Sequence, residues 1–266
     1  MKPINLYWCR GRGRSDQNQQ NFGDYLSAQL VEIFSGREVV YAPIDKAEMI
    51  AVGSVLGREK KAKQWGFPRR LHIWGTGSGN SDDVFSGRHH YHAVRGLKCK
   101  GQIQGLKTQP VVGDPGLLSP WVINKPSGKK ISVGLIPHFS HHNTPEIAAL
   151  LSAIPNSRII NVFSPVKQVL EEIASCDFVL SSSLHGLIVA DSYHVPNMWL
   201  TLQRDPAWEF KFKDYYSSFG LFDREPVTAQ EIYSGPAWSV EPYMADYHRP
   251  GLEAMQHGLI SAFPSF

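Results

Sequence analysis

Short runs of β-branched and aliphatic residues recur along this chain, each ending near a glycine or a charged turn. In the first half they read "INLYW", "MIAV", "LHIW", "YHAV" and "PVVG". Helix-period segments lie between some of them. The clearest is "DYLSAQLVEIFSG", which puts Leu26, Leu30, Ile33 and Phe34 on one helical face and Gly36 at the C-terminal stop. Such alternation predicts parallel strands whose carboxyl ends open into functional loops.

A polar stretch, "WVINKPSGKK", interrupts the pattern near residues 121–130 and reads as a linker. The alternation then restarts: "ISVGLI", "RIINVF" and "DFVLSSS" as strands, "TPEIAALLSAI", "SPVKQVLEEIA" and "LHGLIVADSY" as helices. In "SPVKQVLEEIA", Ser164 is the expected N-cap and Pro165 the first helical residue. The expected fold class is therefore α/β with two Rossmann-like lobes facing a cleft. The first spans 1–122; the second spans 123–266 and includes a closing helix, "GLEAMQHGLISAF", with Leu252, Met255, Leu259 and Phe263 as its apolar stripe.

At 266 residues the chain can bury one large core or two modest ones. A formal charge of +3, with basic residues spread out, gives no reason to expect nucleic acid as a partner and leaves anionic small molecules open. Cys9, Cys99 and Cys176 are far apart and without CxxC spacing, as expected of buried or incidental thiols in a reducing compartment. The amino terminus offers five largely apolar residues before charge, too few for a signal peptide, and no later run approaches a membrane span. A cytoplasmic protein is expected, one that touches the inner face of a membrane at most.

In "LSSSLHGLIVADSYHVP" a histidine follows a strand-ending serine run and enters the first turn of the next helix. That is where ligands of open α/β sheets bind and where free backbone N–H groups favour an anion, with Ser182 and Ser183 as further donors. From local context, packing of His185 under a helix capped by Ser183 is about as good a reading. Asn21, Gly23 and Asp24 lie between the first strand and first helix, where glycine permits close approach and Asp24 can cap or bind a hydroxyl. Arg95, after a strand, suits a carboxylate or phosphate clamp or a solvated loop. Asp114 ends the last strand of the first lobe, or belongs to an ordinary Asp-Pro turn. Lys211 and Lys213 alternate with aromatics and either point a cation into the cleft or snorkel to solvent. "GTGSGN" does not match a dinucleotide fingerprint, and "IPHFSHH" lacks a helical ligand pair for metal, leaving His138 as a cleft residue. Trp199, Trp208 and Tyr215 are either sugar-stacking platforms or core.

Taken in order, "NFGDYLS", "AVGSVLG", "WGTG", "VRG", "GDPGLL", "GLIPHF", "SSSLHGLIVADSY" and "KFKDYYSS" resemble the polysaccharide pyruvyl transferase family, in particular its short bacterial branch for exopolysaccharide ketals. The resemblance implies a glycosyltransferase-B-like pair of lobes, with the acceptor on the first. It also implies transfer of the enolpyruvyl group of phosphoenolpyruvate to a sugar of a polysaccharide or lipid-linked precursor, forming a pyruvate ketal with phosphate release and no cofactor or metal. It assigns His185 as general acid, Arg95 as a donor-phosphate contact and Lys211 as the lysine after the histidine helix, with Lys213 its neighbour. Many relatives carry arginine where this chain has Ser183, so one anion contact must come from elsewhere.

The chemistry fits on its own terms. A trianionic donor needs cations and backbone donors, and protonation of its methylene carbon needs an acid near neutrality. A helix amino end lowers a histidine pKa, so His185 is expected to become competent in the donor complex. Asp24 or Asp114 would orient or deprotonate the acceptor. The rival readings are a nucleotide-sugar glycosyltransferase of similar fold and a non-catalytic glycan-binding component of polysaccharide assembly.

Overall fold

The computed structural model describes residues 1–10, 20–64, 67–126, 128–234 and 238–266. In the first half, β1 (Ile4–Tyr7), β2 (Val39–Tyr41), β3 (Met49–Ile50), β4 (His72–Trp74), β5 (His90–Val94) and β6 (Val111–Val112) form one sheet in the order β6-β5-β4-β3-β1-β2. In the second, β7 (Ile131–Ile136), β8 (Ser157–Ile159), β9 (Cys176–Ser181), β10 (Asn197–Thr201) and β11 (Val227–Thr228) form another, ordered β8-β7-β9-β10-β11. Every strand pair in these two sheets is parallel. The fold is thus α/β, as the alternation required. Both sheets follow the doubly wound order in which the second strand lies outside the first and the third on its other side. That reversal opens a crevice between the first and third strands of each sheet, where open α/β sheets take ligands.

Among the described residues the helices are α1 (Phe22–Ser35), α2 (Leu97–Gly101), α3 (Pro145–Ala153), α4 (Val166–Ala174), α5 (Leu184–Ser192), α6 (Pro206–Ser217), α7 (Ala229–Ser234), α8 (Glu241–Ala245) and α9 (Leu252–Ser261), and local chemistry sets their ends. Helix α1 (Phe22–Ser35) starts at Asn21, whose side chain accepts from the Gly23 N–H, and stops at Gly36, which adopts the left-handed conformation a side chain resists, φ 61°. Its inward face is Leu26, Leu30 and Val31, whereas Ile33 is 44% exposed, so the expected stripe is rotated there. The expected caps of α4 (Val166–Ala174) shift by one: Pro165, with ψ 139°, takes the cap position. Helix α5 (Leu184–Ser192) is buried at all nine positions, consistent with its being apolar nearly all round.

The two halves do not merely face each other. One apolar cluster runs through both, joining Leu6, Phe22 and Leu26 to Leu117, Leu187, Ile188 and Leu259. The closing helix α9 (Leu252–Ser261), expected in the second lobe, packs instead on the first sheet. Trp74 of β4 donates from Nε1 to the Leu259 carbonyl at 2.9 Å, and Phe263 stands edge-on to its ring with centroids 4.8 Å apart.

A second tie is polar. Helix α6 (Pro206–Ser217) sends Asp214 across to the end of β5, where Oδ2 takes the Arg95 Nε–H at 2.8 Å and Oδ1 takes the Cys99 N–H of α2 (Leu97–Gly101) at 2.8 Å. Both side chains are fully buried. The backbones meet so closely that a Cβ at Gly96 would sit 1.8 Å from the Asp214 carbonyl oxygen. Removing one member of a buried pair strands the other charge, at a cost of about 3–5 kcal/mol. Asp214→Ala should lower unfolding free energy by that order in urea denaturation, and Arg95→Met combined with Asp214→Leu should recover much of it. A single substitution without effect would show that the pair does not hold the halves.

Candidate functional site

The two crevices converge. A pocket of about 200 Å³ is lined from the first sheet by Tyr7 at the end of β1 and Cys9 beyond it and by Ser54, Val55 and Arg58 after β3. From the second it is lined by His138 and Phe139 after β7 and by Ser183, Leu184 and His185 after β9. Asn21 and Asp24 of the α1 start and Lys211 of α6 complete it. Sequence reasoning therefore brought together Asn21, Asp24, His138, Ser183, His185 and Lys211.

His185 lies in the first turn of α5, its ring against Gly23: a Cβ there would come within 2.1 Å of Nδ1. Glycine at 23 is thus a packing requirement of the histidine. Gly53, held at φ +98°, is the second glycine the site demands; a Cβ built on it would lie 3.5 Å from Asp24 Oδ1 and 4.0 Å from His185 Nε2. Carboxylate and imidazole therefore look onto the same space, kept clear by the missing side chain. His185 Nε2 is buried and has no hydrogen-bond partner among the described residues. Among the described residues no side chain caps the first turn of α5, so its amide groups remain for an anion.

Burial leaves these groups short of charge. Desolvation, followed by the nearby charges of Lys211 and Arg95, lowers the His185 pKa to about 3, so the ring is neutral at pH 7. Desolvation and then Arg95 bring Lys211 down to about 7. Desolvation raises Asp24 to about 7 against the opposing pull of the Asn21 amide and Lys211. His138 falls to about 2 through burial and the nearby Lys211 charge; its Nδ1 is hydrogen-bonded to Ser140 Oγ at 2.7 Å. Lys211 makes no hydrogen bond or ion pair among the described residues and rests its Nζ 3.4 Å over the Trp208 ring centre.

Several expectations change. Arg95 is fully buried, its nitrogens taken by Asp214, by Ser54 Oγ at 2.8 Å and by the Ser78 carbonyl at 2.5 Å, so it reaches the pocket through its field and through Ser54, not by touching a ligand phosphate. Asp114 caps the 3₁₀ segment Pro115–Trp121, accepting the Gly116 N–H at 2.8 Å, and stands outside the pocket. Lys213 faces away from Lys211 and is engaged by Glu225 at 2.9 Å and Glu209 at 3.5 Å. Asn21, not Asp24, caps α1. Ser182 turns from the pocket, its hydroxyl accepting the His138 N–H at 2.9 Å. Of the aromatics, Trp199 stacks on Phe212 and Tyr215 is buried with its hydroxyl on Asp191, so both are core, while Trp208 lines open space.

Tyr7, Ser54, Arg58 and Phe139 were not foreseen. Ser54 and Arg58 lie in and beside the quoted "AVGSVLG" block, the one signal that pointed to that turn.

Residues 111–204 match the family model described as polysaccharide pyruvyl transferase, a span that includes His138, Ser183 and His185. The resemblance to that family is thereby shown. The succinoglycan biosynthesis protein ExoV of Rhizobium meliloti (strain 1021) is 26% identical over 228 residues, covering 83% of this chain and 66% of its own length. The uncharacterized protein L143 of Acanthamoeba polyphaga mimivirus is 27% identical over 117 residues, covering 41% of this chain and 40% of its own. The chain thus spans less than two thirds of the relatives it matches. Among solved structures, uncharacterized protein KP1_0663 from Klebsiella pneumoniae subsp. pneumoniae NTUH-K2044 aligns over 85% of this chain and 92% of that one, at 11% identity and a TM-score of 0.47. Among the described residues no helix is long and apolar enough to cross a membrane.

The electrostatics make a direct prediction. Followed by NMR between about pH 5 and pH 8, where an ordinary histidine titrates, the His185 ring should stay neutral, and Lys211→Met should raise its midpoint. A midpoint near that of a free histidine would contradict the account.

Proposed function

We propose that the protein transfers the enolpyruvyl group of phosphoenolpyruvate to a pair of sugar hydroxyls, releasing phosphate and leaving a cyclic pyruvate ketal on a polysaccharide or its lipid-linked precursor. In this reading the two sheets form a glycosyltransferase-B-like pair across the pocket, and the protein works in the cytoplasm at the inner face of the membrane, without a cofactor. What carries the proposal is the meeting of His185, Asp24 and Lys211 in one small pocket between two sheet crevices. The match to the pyruvyl transferase family and the likeness to a succinoglycan biosynthesis protein support it.

The pocket suits a three-carbon trianion. Lys211, Arg58 and the first-turn amides of α5 supply cations and donors. Arg58, entering from the first sheet, is the cation placed to substitute for the arginine that relatives carry at the position of Ser183. The bound anion reverses the local deficit of negative charge and lifts the His185 pKa, so the acid forms in the complex. Protonated His185 then gives its proton to the methylene carbon while the first sugar hydroxyl attacks the adjacent carbon and Asp24 receives the hydroxyl proton. The phosphate leaves with the bonding pair of its C–O bond. A second hydroxyl adds to the resulting oxocarbenium carbon and closes the ring, its proton going to the His185 imidazole left neutral by the first step, while the departing phosphate takes the proton held by Asp24.

Incubation with phosphoenolpyruvate and an oligosaccharide acceptor should release phosphate and add a ketal detectable by mass spectrometry. His185→Ala should reduce turnover by a factor on the order of 10² or more. Lys211→Met should act mainly on the KM for phosphoenolpyruvate. Because His185 and Lys211 must both be protonated in the complex, affinity should fall as pH rises, by about tenfold per pH unit below about pH 7, where His185 alone takes up a proton, and more steeply above it, where Lys211 does so too. Near-normal turnover by His185→Ala would remove its role as the acid.

A further inference from the structure

We propose that the larger cavity beside the catalytic pocket is the acceptor subsite and takes a neutral oligosaccharide, a claim that rests on the pyruvyl transfer reading. This cavity, about 610 Å³, opens at the carboxyl edge of the second sheet and is lined by Ser140, His141, Thr144, Ser182, Gln203 and Trp208, among others. Its volume falls within the range of ligand sites, whereas the catalytic pocket has room for the small donor.

The two spaces adjoin. Ser182 lines the larger and Ser183 the smaller, so one turn after β9 serves both. Trp208 forms the partition: Lys211 lies over its ring, and His138 meets it edge-on with centroids 4.6 Å apart. A sugar held beside this indole would lie one ring away from Lys211 and His138 of the catalytic pocket.

Unused polar groups in the wall point to a ligand. The atoms His141 Nδ1 and Thr144 Oγ1 are buried without hydrogen-bond partners among the described residues. Thr144 stands at the N-cap position of α3 (Pro145–Ala153), where a threonine hydroxyl would ordinarily accept a backbone N–H, yet its side chain makes no such bond. A buried polar atom left unsatisfied is costly, and a turn of either side chain into the cavity would let a sugar hydroxyl, both donor and acceptor, satisfy it.

Charge decides the class. Glu146 and Asp205 contribute carboxylates to the wall, and its one arginine, Arg204, is engaged by Glu209 and Glu225, each at 2.5 Å. Among the described residues no uncommitted lysine or arginine lines the cavity, which disfavours a nucleoside diphosphate and suits a polyol stacked on an aromatic ring. The acceptor is thus placed on the second sheet rather than on residues 1–122, where the resemblance had it.

Saturation-transfer NMR on the whole protein with lactose, cello-oligosaccharides and depyruvylated succinoglycan fragments tests this, with UDP as the contrasting probe. At least one saccharide should bind. Thr144→Val should weaken binding by about threefold or more, and Thr144→Trp, which fills the cavity, should abolish it. Both variants should keep wild-type affinity for phosphoenolpyruvate, which also shows that they fold. No saccharide binding across the panel, binding indifferent to Thr144→Trp, or binding of UDP in place of sugars would overturn the subsite. Saccharide binding lost in Thr144→Trp by a protein that never consumes phosphoenolpyruvate would uphold the subsite and count only against the transferase reading.

Discussion

The buried contact between Arg95 and Asp214 is both a strut and a source of field. As a strut it joins the end of a first-sheet strand to the helix that carries Lys211, so the two crevices stay in register across the pocket. As a source of field, the arginine sits close enough to depress both Lys211 and His185. An arginine is well suited to this work because it does not lose its proton and its planar fork can be satisfied from several sides at once. Here the sides are a carboxylate, a serine hydroxyl and a carbonyl.

Helix α6 is accordingly the element on which the site turns. Asp214 reaches the first sheet, Lys211 reaches the pocket, and Tyr215 donates to Asp191 of α5, the helix of His185, at 2.6 Å. Asp191 in turn takes Asn197 at 2.5 Å and Arg249 at 2.8 Å. The imidazole and the ammonium are thus fixed relative to one another through buried polar contacts rather than through loops. A site so held can afford groups kept away from their comfortable ionisation states, since the surrounding packing bears the strain.

Much of this was legible in the sequence, and the gaps have physical causes. Strand runs, the stop at Gly36 and the place of His185 at a strand-to-helix turn are local properties and could be read. The choice between Lys211 and Lys213 was also within reach: residues two apart on a helix point to opposite sides, and Glu209 stands four residues before Lys213, the spacing of an ion pair. Asp214 was hidden because its partner is more than a hundred residues away, and a lone aspartate on an amphipathic helix carries no long-range signal. The same holds for the closing helix, whose apolar stripe announces burial without saying against which sheet. Arg95 misled for a different reason: an arginine after a strand looks alike whether it awaits a phosphate or already has a carboxylate.

The central claim is that the unliganded pocket keeps its acid and its cation short of protons until an anion arrives. Calorimetric titration with phosphoenolpyruvate at about pH 8, repeated in buffers of different ionisation enthalpy, reads this directly as protons exchanged on binding. The account predicts net proton uptake, since Lys211, with a pKa near 7, and His185, with a pKa near 3, both gain affinity for protons beside the bound anion. Binding with no proton exchange, or with proton release, would contradict it.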